Sequence, residues 1–213
     1  MATIRPYIGF EGPIGAGKTT LAQLFASYIG ATLILEDVDS NEFLADFYKD
    51  RQRWSLGAQL WFLAARHQQL NANIISSRTG PVVADYTYAK DGIFARALLK
   101  DRDLRLYQKI SVGLTDRGTQ PDLVVYVDAK NDVLLDRIRR RNRSYEAFID
   151  AKYLDLLREA YQSYLRSMKD LKVLRYDTST LNLSSESELL QFYQTILDAT
   201  ATLGEASKSR LAK

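Results

Sequence analysis

The stretch EGPIGAGKTT, residues 11–20, constrains this chain more than any other. Its Gly12-x-x-x-x-Gly17-Lys18-Thr19 spacing is that of a loop whose backbone N–H groups turn inward around a phosphate. Such a loop needs a buried strand before it and a helix after it. YIGF (7–10) reads as the strand and TTLAQLFASYI (19–29) as the helix. Gly12, Pro13, Ile14, Gly15, Ala16 and Gly17 then form the cradle, Thr20 closes it, and the helix adds its positive dipole end. Lys18 is placed to reach the β- and γ-phosphates of ATP, and Thr19 to offer its hydroxyl to Mg²⁺. An acidic residue ending a nearby strand should hold the same ion through water; VVAD (82–85) supplies Asp85.

The rest of the chain alternates short apolar runs with helical periodicities, as an α/β fold requires. TLILE (32–36), PVVADY (81–86), DLVVYVD (122–128) and VLRYD (173–177) read as further strands. Helices are expected near NEFLADFY, from Arg53 to about Ser76, over GIFARALL, DLRLYQKISVGL and DVLLDRIRRR, over about 150–168, and over SELLQFYQTILDATATL. Five strands joined by helices imply a parallel sheet covered on both faces. With 213 residues this is one domain over 1–204, and residues 205–213 read as a frayed tail.

Composition narrows the chemistry. There is no cysteine and a single histidine, His67, so thiolate and multi-histidine metal sites are excluded. No apolar run approaches a membrane span, and the N-terminus turns to glycine too early for a signal peptide, so a cytoplasmic protein without membrane attachment is the expectation. A net charge of +3 does not call for a nucleic-acid partner. The positive charge gathers in RIRRRNR, 137–143. Arg137 and Arg141 share one helix face, and Arg143 follows where the helix should break at Asn142. Such a cluster can close over ATP and balance charge on a moving phosphoryl group; a solvated basic face is the plainer alternative. No Asn-Lys-x-Asp run of a guanine reader is present.

Several stretches, in order, resemble the deoxynucleoside kinases. LEDVDSNEFLADFY is similar to that family's Glu-x-Val segment and following helix, RWSLGAQLWFLAARHQQL to its Trp-Ser…Gln…Arg helix, VADYT to its acidic-Arg-Ser motif, and RIRRRNRSYE to its lid, here about 137–150. The resemblance implies the P-loop kinase fold, transfer of the γ-phosphoryl of ATP to a deoxynucleoside 5′-hydroxyl, and a homodimer. It implies that Glu36 takes the hydroxyl proton, with Asp37 and Asp39 as rivals in the same stretch. Arg141 and Arg143 would stabilise the transferred group, and Arg137 would help form the lid. Gln59 and Arg66 would read the base with Asp91, and Tyr48 and Glu146 would hold the sugar 3′-hydroxyl. It leans toward a purine, deoxyadenosine or deoxyguanosine.

Gln59 and Arg66 lie seven residues apart, close to two helical turns, and are expected on one face with Leu56, Leu60, Leu63 and Leu70. The chain departs from the family at Tyr86 and Thr87, where arginine and serine are usual; Lys90, Arg139 or Arg140 could supply the missing cation. A thymidylate kinase shares the opening motif but would need cations for its acceptor phosphate, and LEDVDSN is acidic. A non-catalytic nucleotide- or nucleic-acid-binding module remains the reading of a different class.

Overall fold

The computed structural model describes residues 6–70, 75, 79–114, 119–168 and 171–211, the side chains of 203–211 aside. Five parallel strands form one sheet in the order β2-β3-β1-β4-β5. They are β1 (Tyr7–Glu11), β2 (Thr32–Ile34), β3 (Val82–Ala84), β4 (Leu123–Asp128) and β5 (Val173–Asp177). The register runs through Ile8↔Val83 on one side of β1 and Ile8↔Leu123 on the other. The central strand is buried along its whole length, as its apolar sequence requires in a sheet covered on both faces. One core cluster gathers Phe10, Phe25 and Phe192 between the sheet and the helices α1 (Lys18–Ile29) and α8 (Glu186–Leu211).

The remaining helices are α2 (Leu44–Lys49), α3 (Arg51–Gln69), α4 (Ala89–Leu98), α5 (Asp101–Gly113), α6 (Asn131–Arg141) and α7 (Ala151–Ser167), with a 3₁₀ turn at Ser144–Phe148. Helix α3 starts at a true cap, the Asp50 carboxylate accepting from Arg53 N at 3.2 Å. Its expected continuation toward Ser76 falls largely outside the described residues. Helix α6 ends where expected: Asn142 takes the left-handed conformation, φ 57°, and its N–H returns to Ile138 and Arg139.

One expectation needs correction. The segments expected as strands over 32–36 and 81–86 leave the sheet early, at Ile34 and Ala84. The reason is local: Asp85 N makes a last backbone bond to Ile34 O at 3.1 Å, and Glu36 N then donates to the Asp85 side chain at 2.7 Å instead of to a ladder carbonyl. The last helix is described as far as Leu211. Among the described residues, no helix is long and apolar enough to cross a membrane.

Candidate active site

The phosphate loop follows the central strand and is shaped by its glycines. Gly12 has φ +143°, and a Cβ there would lie 1.9 Å from the Val127 carbonyl oxygen, so only glycine lets the loop pass against β4. Gly15, φ +85°, packs on the backbone of α6, where a Cβ would meet Leu134 O at 2.7 Å. The loop and the arginine-bearing helix are therefore in direct contact. Lys18 Nζ donates to Gly12 O and Pro13 O, both at 2.8 Å. Burial, then the charge of Lys90, pushes Lys18 down to about 7. Thr19 Oγ1 donates to Asp85 Oδ2 at 2.5 Å, and the two oxygens meet beside the loop as a hard cation would require.

A cavity of about 450 Å³ opens from this loop, of a size ordinary for small-molecule sites. Its walls bring together Lys18, Thr19, Glu36, Tyr48, Gln59, Arg66, Asp85, Arg141, Arg143 and Glu146, residues that lie as much as 128 positions apart in the chain (146 less 18). Glu36 is gripped by two cations. Arg66 Nε and Nη2 donate to its Oε1 at 2.9 and 2.5 Å, and Lys90 Nζ donates to its Oε2 at 2.5 Å. Burial alone would raise this carboxyl; Lys90 and then Arg66 outweigh it and hold Glu36 down at about 2. Asp37 is exposed and does not line the cavity. Asp39 does, but it accepts from Arg143 Nη2 at 2.9 Å and Tyr145 OH at 2.7 Å.

Helix α3 presents two faces rather than the single one expected. Gln59, Phe62 and Arg66 look into the cavity, whereas Leu56, Leu60 and Leu63 pack on Ala95, Leu99 and Tyr107. Gln59 is 2 % exposed, and its Oε1 has no partner among the described residues. An unpaired polar atom at a cavity wall is costly unless a ligand satisfies it. The Arg66 guanidinium lies over the Phe62 ring at 4.6 Å. Asp91 does not line the cavity: it stands behind Arg66 and accepts from Nη1 through Oδ1. Burial pushes its carboxyl up to about 6 although Arg66 opposes the rise. Two aromatic rings that could stack on a base, Phe62 and Phe94, reach the cavity, whereas Trp54 and Tyr88 do not. His67 is half-buried on α3 and away from the wall.

The lid folds onto the acceptor side. Arg141 donates from Nε and Nη2 to Glu146 at 3.0 and 2.6 Å, and Tyr48 stacks on Tyr145 with centroids 5.9 Å apart. Arg137 points elsewhere, to Thr178 Oγ1 and O at 3.0 and 2.6 Å. It lines a second groove of about 360 Å³ on the other side of the phosphate loop, with Thr178, Leu181 and Leu183. Sequence reasoning missed this segment after β5; no motif marks it, and Thr178 Oγ1 meets Ala16 O at 3.2 Å only through the fold. It also missed the buried Glu11, which accepts from Thr87 N, Thr87 Oγ1 and Tyr161 OH and so ties β1 to the turn before α4. Tyr86 turns away from the cavity into a cluster with Tyr7, Leu70 and Val82. Arg139 and Arg140 are exposed and do not reach the cavity, which leaves Lys90 as the one of the three suggested cations that does.

The deoxynucleoside kinase family model matches residues 8–198. The chain belongs to the deoxynucleoside kinase family. This kinase is 36 % identical over 167 residues to a deoxyguanosine kinase of Bacillus subtilis (strain 168), covering 78 % of this chain and 81 % of that one. It is 35 % identical over 179 residues to a deoxyadenosine kinase of Dictyostelium discoideum, covering 81 % and 72 %. A deoxyadenosine kinase from M. mycoides, solved with the products dCMP and a flexible dCDP bound, shares its fold with a TM-score of 0.76 at 22 % identity, over 90 % of this chain and 98 % of that one.

Proposed function

We propose that this kinase moves the γ-phosphoryl group of ATP to the 5′-hydroxyl of a purine deoxynucleoside. The observation that carries the reading is Glu36 facing the Lys18 loop across one cavity whose acceptor end is otherwise acidic and already balanced. Glu146 is met by Arg141, Asp39 by Arg143, and Glu36 by Arg66 and Lys90. A neutral nucleoside suits such a wall; an acceptor phosphate would have to break ion pairs to enter it. The purine preference draws on the two relatives named as deoxyguanosine and deoxyadenosine kinases, and on the unpartnered Gln59 Oε1 beside Arg66.

In this reading the phosphates of ATP replace the loop carbonyls as partners of Lys18. The O5′–Pγ bond forms while the bond from Pγ to the β,γ-bridging oxygen breaks. The hydroxyl proton passes to Glu36, and ADP leaves. Thr19 and Asp85 would hold Mg²⁺, which supplies charge neutralisation at the phosphates when bound. Arg137 and the 178–183 segment would receive the donor's nucleoside. Tyr48 and Glu146 would clamp the sugar hydroxyl, and Gln59 and Arg66 would meet the base, with Asp91 holding Arg66 from behind. Lid closure by Arg141 and Arg143 would keep water from the γ-phosphate.

The kinase would work in the cytoplasm as a homodimer. Helix α4 is covered by α3 and α7, whereas α5 leaves Leu106, Ile110 and Val112 exposed. Sedimentation equilibrium tests that part. A coupled assay with Mg·ATP and deoxyadenosine, deoxyguanosine, deoxycytidine, thymidine and thymidine monophosphate tests the reaction. Turnover led by a purine deoxynucleoside is expected; turnover confined to the monophosphate would overturn the reading.

A further inference from the structure

Most cations around the cavity are already committed. Arg66 is shared between Glu36 and Asp91, Arg141 gives two bonds to Glu146, and Arg143 turns to Asp39. Lys90 differs. It is 7 % exposed, it lines the cavity from the first turn of α4, and it donates to the oxygen of Glu36 that Arg66 leaves untouched. An ammonium carries three donor hydrogens, and this bond uses one.

Lys90 balances the second of the two carboxylates that share Arg66, yet Glu36 takes up only one of its N–H donors. Oε1 of Glu36 already receives two bonds from Arg66. Lys90 and Lys18 both line this one cavity, so two ammonium groups face the same space between the phosphate loop and Glu36. Like charges converging on one small volume are unfavourable unless an anion sits between them. The place between the phosphate loop and Glu36 is where a phosphoryl group must pass.

We propose that Lys90 is a catalytic residue of this kinase, which holds Glu36 with one N–H and binds an oxygen of the transferring phosphoryl group with another. It stabilises the charge on that group as the O5′–Pγ bond forms and the bond to the departing ADP oxygen breaks, while the hydroxyl proton goes to Glu36. Lysine suits the task because a compact ammonium on a flexible stem can serve two oxygens at once. The proposal rests on the nucleoside kinase reading above.

The chain has no cysteine, which allows a charge-specific test. Lys90→Cys is alkylated in denaturant with bromoethylamine, restoring an ammonium at lysine length, or with methyl methanethiosulfonate, adding a neutral group, and refolded. Lys90→Met is made alongside as a variant that needs no chemistry. The readouts are kcat and the nucleoside Kd measured without ATP. Lys90→Met and the neutral adduct should lose about 100-fold or more in kcat while the nucleoside Kd moves less than about threefold. The aminoethylated protein should recover to within about tenfold of the parent. A kcat within about tenfold of wild type in Lys90→Met, or equal rates for the charged and neutral adducts, would overturn the proposal. A wild-type protein that phosphorylates no deoxynucleoside would instead overturn the functional reading, whatever Lys90 does.

Discussion

Replacing Arg66 by methionine should destabilise the protein by an amount that grows with pH. Arg66 is 2 % exposed and bridges two carboxylates, Glu36 and Asp91. Without it Glu36 keeps Lys90, but Asp91 loses the partner of its Oδ1, and its Oδ2 has none among the described residues. Burial already raises the Asp91 carboxyl to about 6 against the pull of Arg66, so removing that pull raises it further. The native state then binds more protons than the unfolded chain, and stability falls as pH rises toward the folded pKa. In wild type that loss ends near pH 6; in Arg66→Met it continues, at about 1.4 kcal/mol per pH unit. At pH 5 Asp91 holds its proton in both proteins. The difference there is the bonds lost at Glu36, about 2–3 kcal/mol. At pH 8 two further units add up to about 3 kcal/mol, for a total near the upper end of what breaking a buried ion pair costs. Urea unfolding at pH 5, 6.5 and 8 measures this directly. The double variant Arg66→Met/Asp91→Asn should lose the pH-dependent part and keep the rest. A gap equal at pH 5 and pH 8, or a pH-dependent gap that survives in the double variant, would refute the reasoning.

Other perturbations separate the parts of the site. Glu36→Gln should lower kcat by about 10²–10⁴ while nucleoside affinity, read by calorimetry without ATP, stays within a few-fold; near-normal turnover would move the base elsewhere. Gly15→Ala forces a Cβ to 2.7 Å from Leu134 O at a positive φ, so the loop and α6 must part. Its KM for ATP should rise at least about tenfold, more than its KM for the nucleoside, in initial-rate kinetics. Arg137→Gln removes the two bonds to Thr178 and should raise KM for ATP by about three- to tenfold with little change for the nucleoside; an equal change in both would mean that the second groove does not take the donor.

Much of this arrangement was legible in the residues alone, wherever the chemistry is local. A loop that folds round phosphate needs its glycines, lysine and threonine within eight positions, so Gly12 to Thr19 declare it without help. The alternation of apolar runs and helices sufficed for a five-stranded parallel sheet, and Asn142 marked the end of α6 because few residues accept a left-handed cap. What the residues could not decide is how groups far apart in sequence divide their bonds. Both Gln59 and Asp91 could be named for the base, yet packing puts one on the wall and the other behind Arg66. Lys90, Arg139 and Arg140 were equivalent as charges; the sheet and α4 bring only Lys90 to Glu36. Strand ends could not be read from apolar runs, because Glu36 N leaves the ladder for the Asp85 side chain, a choice that exists only once β2 and β3 lie side by side. Short-range sterics and periodicity are written along the chain, but ion pairing and burial depend on distances that only the folded sheet sets.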